Sequence, residues 1–243
     1  MSRRAFDPAT PELMDVEQPV TPALERDLAN LVTLNRRFGS HALVLDHLRT
    51  RLRPGRAWRI LDLATASGDI PRAIADWAAR SGIEVTIDAV DFQASTLAIA
   101  RRLSAAHPNI TFHEGDIRDF GLGQQWDVVL CSLALHHFSE ADAVRVLRHC
   151  TALASAHILV ADLRRCAAGT LGVDLLTATW MREPMTVADA RTSVRRAFSF
   201  EEFAALARDA GWRDPGRGGD RPACGHARKF CFRQALWLDM LPA

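Results

Sequence analysis

The stretch Ile60-Leu-Asp-Leu-Ala-Thr-Ala-Ser-Gly-Asp-Ile-Pro71 constrains the fold more than any other part of the chain. Ile60 to Leu63 is an apolar run short enough for a buried strand of a parallel sheet. Ala64, Ala66, Ser67 and Gly68 then keep side-chain bulk away from the turn, and Pro71 suits the first turn of a helix. Ile70, Ile74 and Trp77 continue at helical spacing into a segment ending near Arg80. In this order of strand, small-residue turn and helix start, backbone N–H groups face a ligand lying beyond the sheet edge. The same residues also suit an ordinary strand-to-helix turn.

The spacing discriminates between cofactors. A dinucleotide fingerprint needs G-x-G-x-x-G, whereas here the small residues Ala64, Ala66 and Gly68 fall at every second position after Asp62. This resembles motif I of class I S-adenosylmethionine (SAM)-dependent methyltransferases, Asp-x-Gly-x-Gly-x-Gly, with alanine at two of the three glycine positions. The resemblance implies SAM as cofactor, with Asp62, Ala64, Ala66 and Gly68 at its site. Alanine adds a methyl and disfavours positive φ, so it implies weaker binding or an altered turn.

Further segments follow in the order the resemblance requires. The strand Val85 to Val90 ends in Asp91-Phe92, before a helix carrying Leu97, Ile99 and Leu103. In the family an acidic residue at this strand tip accepts hydrogen bonds from both ribose hydroxyls; Asp91 occupies that place, with Phe92 beside it, although a helix N-cap would also explain the aspartate. A third strand, Ile110 to Gly115, leads into Asp116-Ile117, similar to the family's adenine corner and equally a Gly-Asp surface turn. A fourth strand, Trp126 to Cys131, precedes Ser132-Leu-Ala-Leu-His-His-Phe138, which resembles the segment bordering the methionine part of the cofactor. His136 and His137 are the candidate general bases for a hydroxyl acceptor, with ring packing plus a backbone hydrogen bond as the structural alternative.

The flanks extend the pattern. The first twenty or so residues, rich in Pro and acidic groups, read as an extended arm. Pro22 opens a helix whose Leu24, Leu28, Leu31, Leu34 and Phe38 form an apolar stripe, and a second helix runs from His41 to about Arg53. The segment Asn35-Arg-Arg-Phe-Gly39 resembles one preceding the core in small methyltransferases allied to the ubiquinone/menaquinone type, which implies Arg36 as a contact for an anionic group; a solvated arginine is the alternative. A helix from Ala141 to Leu153, the strand His157 to Ala161 and Asp162 continue the doubly wound alternation. The apolar stretch Leu171 to Met185 predicts one helix roofing a small-molecule pocket, with Trp180 and Met181 toward substrate or simply packed. Ala190 to Ser199, with Arg191, precedes a helix from Phe200 to Ala210, and the resemblance implies that this segment is a loop on the substrate side. A Gly/Pro/Arg-rich loop through Gly225 and a terminal strand Arg228 to Trp237 complete a hairpin at the sheet edge.

Composition bounds the partners. With 243 residues, 48% hydrophobic and 24% charged, the chain can bury a full core, and neither disorder nor a membrane span is indicated. Lys and Arg number 30 against 29 Asp and Glu, so tight nonspecific nucleic-acid binding is not favoured. Cysteines 131, 150, 166, 224 and 231 form no C-x-x-C pair; no metal is expected, and reduced thiols in a cytoplasmic setting fit their odd number. The start of the chain shows no secretory signal pattern.

Together these readings imply an α/β, Rossmann-like class I methyltransferase fold. It has a mostly parallel seven-stranded sheet, an N-terminal arm and helical cap over 1–55, and a core over 56–243. The implied function is SAM-dependent methyl transfer to a small molecule, an aromatic or polyketide-like metabolite, with O-methylation favoured and a homodimer allowed. A noncatalytic methyltransferase-like binding protein and, less favoured, a nicotinamide-dependent oxidoreductase remain as alternatives.

Overall fold

A computed structural model describes residues 3–212, 223–229 and 231–240. Five strands, β1 (Ala57–Leu63), β2 (Glu84–Asp91), β3 (Ile110–Glu114), β4 (Trp126–Ser132) and β5 (Ala154–Leu163), pair in parallel. An antiparallel hairpin of β6 (Ala223–Lys229) and β7 (Arg233–Asp239) completes the sheet, with β7 against β5. The spatial order β3-β2-β1-β4-β5-β7-β6 reverses direction between β1 and β4. A parallel sheet opens its ligand crevice at such a switch point, beyond the carboxyl ends of the strands.

The helices α1 (Pro22–Arg37), α2 (Ser40–Arg49), α3 (Asp69–Arg80), α4 (Ala94–Leu103), α5 (Glu140–Leu153), α6 (Ala167–Thr179), α7 (Pro184–Arg196) and α8 (Phe200–Asp209) pack around it. Local chemistry sets several of their starts. The Thr21 hydroxyl accepts from the Leu24 N–H at 3.2 Å with Pro22 following, and Ser199 and Glu202 form a reciprocal capping box at α8. One buried cluster joins β1, β4 and β5 to α5 and α8, through Leu61, Val129, Val146 and Phe203; a second, on the opposite face, joins Ile60, Val128 and Leu159 to Ile74 of α3 and Leu43, Val44 and Leu48 of α2. The second helix of the N-terminal segment thus shares the sheet's own core. No helix among the described residues is long and apolar enough to cross a membrane.

Several segments depart from the sequence expectations. The helix predicted over Leu171 to Met185 is two helices, because Pro184 has no N–H to donate and biases Glu183 to the extended backbone it adopts. The loop expected over Ala190 to Ser199 is consequently the second half of α7 as far as Arg196. The strand expected over Arg228 to Trp237 is interrupted by the hairpin turn itself: Cys231 and Phe232 have left-handed φ of 50° and 59°, and the strands re-pair from Lys229 opposite Arg233. Of the Gly/Pro/Arg-rich loop, residues 213–222 lie outside the described residues and 223–225 belong to β6. The second helix of the cap also ends at Arg49 rather than Arg53.

The N-terminal arm crosses the carboxyl edge of the sheet and includes a short 3-10 turn, Leu13–Asp15. Asp189 of α7 accepts from the Leu13 and Met14 N–H groups at 2.7 and 3.0 Å, the Gln93 side chain donates to the Met14 carbonyl, and Arg196 donates to the carbonyls of Asp7 and Thr10. With α1, α6 and α7 the arm walls in the space above β1 and β4.

Candidate active site

The turn after β1 places three residues in the left-handed region at alternate positions: Ala64 (φ 58°), Ala66 (48°) and Gly68 (72°). Both alanines therefore take the conformation that the motif reserves for glycine, against a steric cost of about 1 to 2 kcal/mol each. Hydrogen bonds hold the turn in place. The Thr65 N–H donates to the Val90 carbonyl at 2.8 Å, and the Gly68 N–H to the Thr65 carbonyl at 2.9 Å. Gly68 lies behind the cavity wall, and a Cβ there would stand 2.9 Å from the Phe112 ring.

Asp91, at the tip of β2, is buried and accepts from the Ala66 N–H through Oδ2 at 2.8 Å and from the Gln93 N–H through Oδ1 at 3.1 Å. The second bond closes a turn before α4, whose N-cap is Gln93 and not Asp91, so the alternative reading of Asp91 as the N-cap is not met. Burial raises the Asp91 pKa in spite of these donors. Asp62 lies deeper; burial, aided by the charges of Asp69 and Asp91, pushes its pKa up to about 7. Asp69 in turn accepts from the Asn35 side-chain amide at 3.1 Å and meets His41 Nε2 at 2.7 Å.

A cavity of about 610 Å³ occupies the crevice. Asp62, Ala64, Ala66, Asp91, Phe92, Asp116, Ile117 and Ser132 all line it. Phe92 is half exposed at the rim, and Ile117 is buried. Asp116 holds Arg118, whose Nε donates to Oδ1 at 2.9 Å; that hydrogen bond lowers the carboxyl pKa. The Ser132 hydroxyl is buried with no hydrogen-bond partner. Leu28, Leu31, Leu34 and Phe38 of the α1 region and Val173 and Leu176 of α6 add an apolar lining.

His136 and His137 line the same cavity. His136 is buried; its N–H donates to Asp162 Oδ2 at 3.0 Å and its ring Nδ1 meets Asp162 Oδ1 at 2.7 Å. His137 is partly exposed, its Nδ1 2.8 Å from Asp15 Oδ2. Burial favours the neutral His137 ring, but the hydrogen bond to Asp15 and the charges of Glu12, Asp15 and Asp162 outweigh it and carry its pKa up to about 9. The Glu12 carboxylate is buried beside both rings: Oε2 accepts from the Ser193 hydroxyl at 2.7 Å, while Oε1 has no hydrogen-bond partner.

The residues expected on the substrate side divide. Met181 lines the cavity; Arg36, Trp180 and Arg191 do not. Arg36 is exposed, its neighbour Asn35 facing inward instead. Trp180 is 49% exposed at the break after α6, with the Arg37 guanidinium 5.0 Å from its ring centroid. Arg191 donates from Nε to Thr177 Oγ1 at 2.8 Å, and the helix turns Ala190 and Ser193 inward in its place. Sequence reasoning missed Glu12, Asp15 and Asp162. Asp162 carried the same strand-tip signal as Asp91, whereas the two arm residues carried no more than acidity.

Comparison with known proteins bears on the fold and on the segment that forms the core of the sheet. Residues 60–157 match a family model described as methyltransferase domain. A 76-residue stretch is 36% identical to dTDP-3-amino-3,6-dideoxy-alpha-D-glucopyranose N,N-dimethyltransferase of Streptomyces fradiae; it represents 31% of this chain and spans 26% of that relative's length. Among solved structures, an O-methyltransferase family protein from Burkholderia thailandensis superposes with a TM-score of 0.62 at 20% identity, over 89% of this chain and 59% of that one. The plantazolicin methyltransferase BamL, in complex with a triazolic desmethylPZN analog and SAH, gives 0.59 at 12% identity over 91% and 99%. The chain therefore has the fold of class I methyltransferases, and its residues 60–157 match a methyltransferase-domain model.

Proposed function

We propose that the protein transfers a methyl group from SAM to a small-molecule acceptor, an aromatic or polyketide-like metabolite, by O-methylation. The observation that carries this reading is the cavity at the β1/β4 switch point, which joins the motif-I turn and Asp91 at one side to an apolar chamber ending at His136 and His137. The domain match and the methyltransferase names among the structural relatives support it.

The residues present suit the cofactor. Asp91 offers carboxylate oxygens to the ribose hydroxyls at the end of β2, and Asp116 and Ile117 stand where the adenine would be bounded. The unpartnered Ser132 hydroxyl and the turn from Ala64 to Ala66 face the remaining part. SAM supplies a methyl already activated on a sulfonium, so the protein's task is alignment and exclusion of water, for which positioning alone supplies about 7 to 11 kcal/mol. The arm, α1, α6 and α7 exclude water; Leu31, Leu176 and Met181 give the acceptor an apolar bed. His136, with Asp162 behind it, is the polar centre at which an acceptor hydroxyl gives up its proton; His137, its pKa raised to about 9, already carries a proton at neutral pH and stands beside it as a cation.

Calorimetry with SAM and S-adenosylhomocysteine tests the cofactor, and product analysis with phenolic acceptors and labelled SAM tests transfer. Binding without transfer to any acceptor would favour a noncatalytic role, and nicotinamide binding in place of SAM would overturn the reading.

A further inference from the structure

At the inner end of the cavity, one ligand atom from each of Glu12, His136 and His137 lies within 4.8 Å of the other two, with His136 Nε2 3.9 Å from Glu12 Oε1. We propose that these three side chains bind a divalent transition-metal ion of the zinc class, leaving a coordination position open to the cavity.

Each histidine is already arranged as a ligand. Asp162 and Asp15 engage the two Nδ1 atoms at 2.7 and 2.8 Å, which fixes the ring proton there when the imidazole is neutral and leaves the Nε2 lone pair free. A carboxylate behind the non-ligating nitrogen is the usual outer support of a metal-bound histidine. The Glu12 carboxylate supplies the independent sign. Its side chain is 1% exposed, Ser193 satisfies Oε2, and Oε1, 3.9 Å from His136 Nε2, makes no hydrogen bond. A buried carboxylate oxygen left unpaired is costly, and a cation between Glu12 and the imidazoles removes that cost.

The donor set selects the ion. Two imidazole nitrogens and one carboxylate suit zinc and its neighbours, whereas magnesium and calcium prefer oxygen throughout. In a tetrahedral zinc site the ligand atoms stand about 3.3 Å apart, so the 3.9 Å separation, and the others within 4.8 Å, close with side-chain adjustments of up to about 1.5 Å. Three protein ligands with a fourth position open is the arrangement of catalytic rather than structural zinc.

Only the catalytic consequence rests on the proposed function. An acceptor hydroxyl at the open position gives its proton to water and keeps the O–H electron pair on the metal-bound oxygen. That oxygen then attacks the sulfonium methyl while the carbon–sulfur pair returns to sulfur.

The test uses the full chain stripped with a chelator, titrated with zinc against a chromophoric competitor and, separately, with cobalt for its absorption spectrum. One tight zinc site is expected, with a cobalt spectrum free of thiolate charge transfer. Glu12→Gln and His137→Ala should each weaken zinc roughly a hundredfold or more, and Asp162→Asn about ten- to a hundredfold. Glu12→Gln is nearly isosteric and keeps an oxygen for Ser193, so it decides the matter if His137→Ala does not fold. Wild-type zinc affinity in Glu12→Gln, a thiolate band, or no zinc binding overturns the site. SAM calorimetry on the zinc-free protein separates the two readings: SAM bound without a zinc site removes the metal alone, and zinc bound without SAM removes the proposed function alone.

Discussion

The backbone N–H of Ala66 donates to Asp91 Oδ2 at 2.8 Å, tying the turn after β1 to the tip of β2. One carboxylate thus both shapes the motif-I turn and faces the cavity, and the two roles are separable by mutation. Asp91→Ala should weaken SAM by about 2 kcal/mol or more, from loss of charge-assisted hydrogen bonds. Asp91→Asn retains an acceptor for Ala66 but turns its amide toward the Gln93 N–H, so it should lose some stability along with part of the affinity, and less of each than Asp91→Ala. Calorimetry and melting curves on both variants check this, and unchanged SAM affinity in Asp91→Ala would remove the ribose assignment.

Ala66 holds φ at 48° without the freedom of glycine. Replacing it with glycine relieves that cost, offset in part by the greater entropy of the unfolded chain. Ala66→Gly should gain up to about 1 kcal/mol, a melting-temperature rise of about 2 to 4 °C for a chain of this size. It should also bind SAM at least as well as wild type. A loss of binding would mean that the alanine methyl itself belongs to the site.

The two histidines differ in setting, and their alanine variants should differ accordingly. His136→Ala leaves the buried Asp162 carboxylate without its ring partner, so the melting temperature should fall; partly exposed His137 should cost less. If the reaction is O-methylation, loss of the histidine nearer the acceptor should lower single-turnover rates by roughly a hundredfold with SAM affinity nearly intact. Wild-type rates in both folded variants would reject a chemical role for the pair.

Asp62 makes stability pH-dependent in a direction opposite to that of most carboxylates. Its folded pKa of about 7 lies above the ordinary value of about 3.9, so between those values the folded protein holds a proton that the unfolded chain releases. Its contribution is complete at low pH and declines as pH rises toward 7, by a few kcal/mol at most. Denaturant titrations from pH 4 to 8 without cofactor should show this slope in the wild type and a flatter one in Asp62→Asn. Equal slopes would place the proton elsewhere.

How much could be read in advance follows from where the information sits. β1, β4 and β5 were legible as compact apolar runs, β2 and β3 as short runs alternating apolar with polar residues, and Asp91 stood at a strand tip where a ligand crevice forms. The division of α6 from α7 was also written in the chain, at Pro184, and was obscured by the apolar residues on either side. The turn between β6 and β7 was not legible: Cys231 and Phe232 enter the left-handed region without glycine, asparagine or aspartate to announce it. On α1 the apolar stripe through Leu24, Leu28 and Leu31 marked the inward side, and Asn35, one turn beyond Leu31, lies on it whereas Arg36 does not. Glu12 and Asp15 join His136 and His137 only through tertiary docking of the arm, which no local period encodes.

That docking has a thermodynamic consequence. The arm is fastened largely by polar contacts to Asp189, Arg196 and Gln93, so its opening should need less free energy than unfolding the sheet. A ligand that touches Glu12 or Asp15 together with the strand-end residues recognises only the docked arm, and by mass action it draws the closed population upward. Amide exchange at Leu13 and Met14, whose N–H groups are held by Asp189, thereby becomes an external gauge of what the cavity contains.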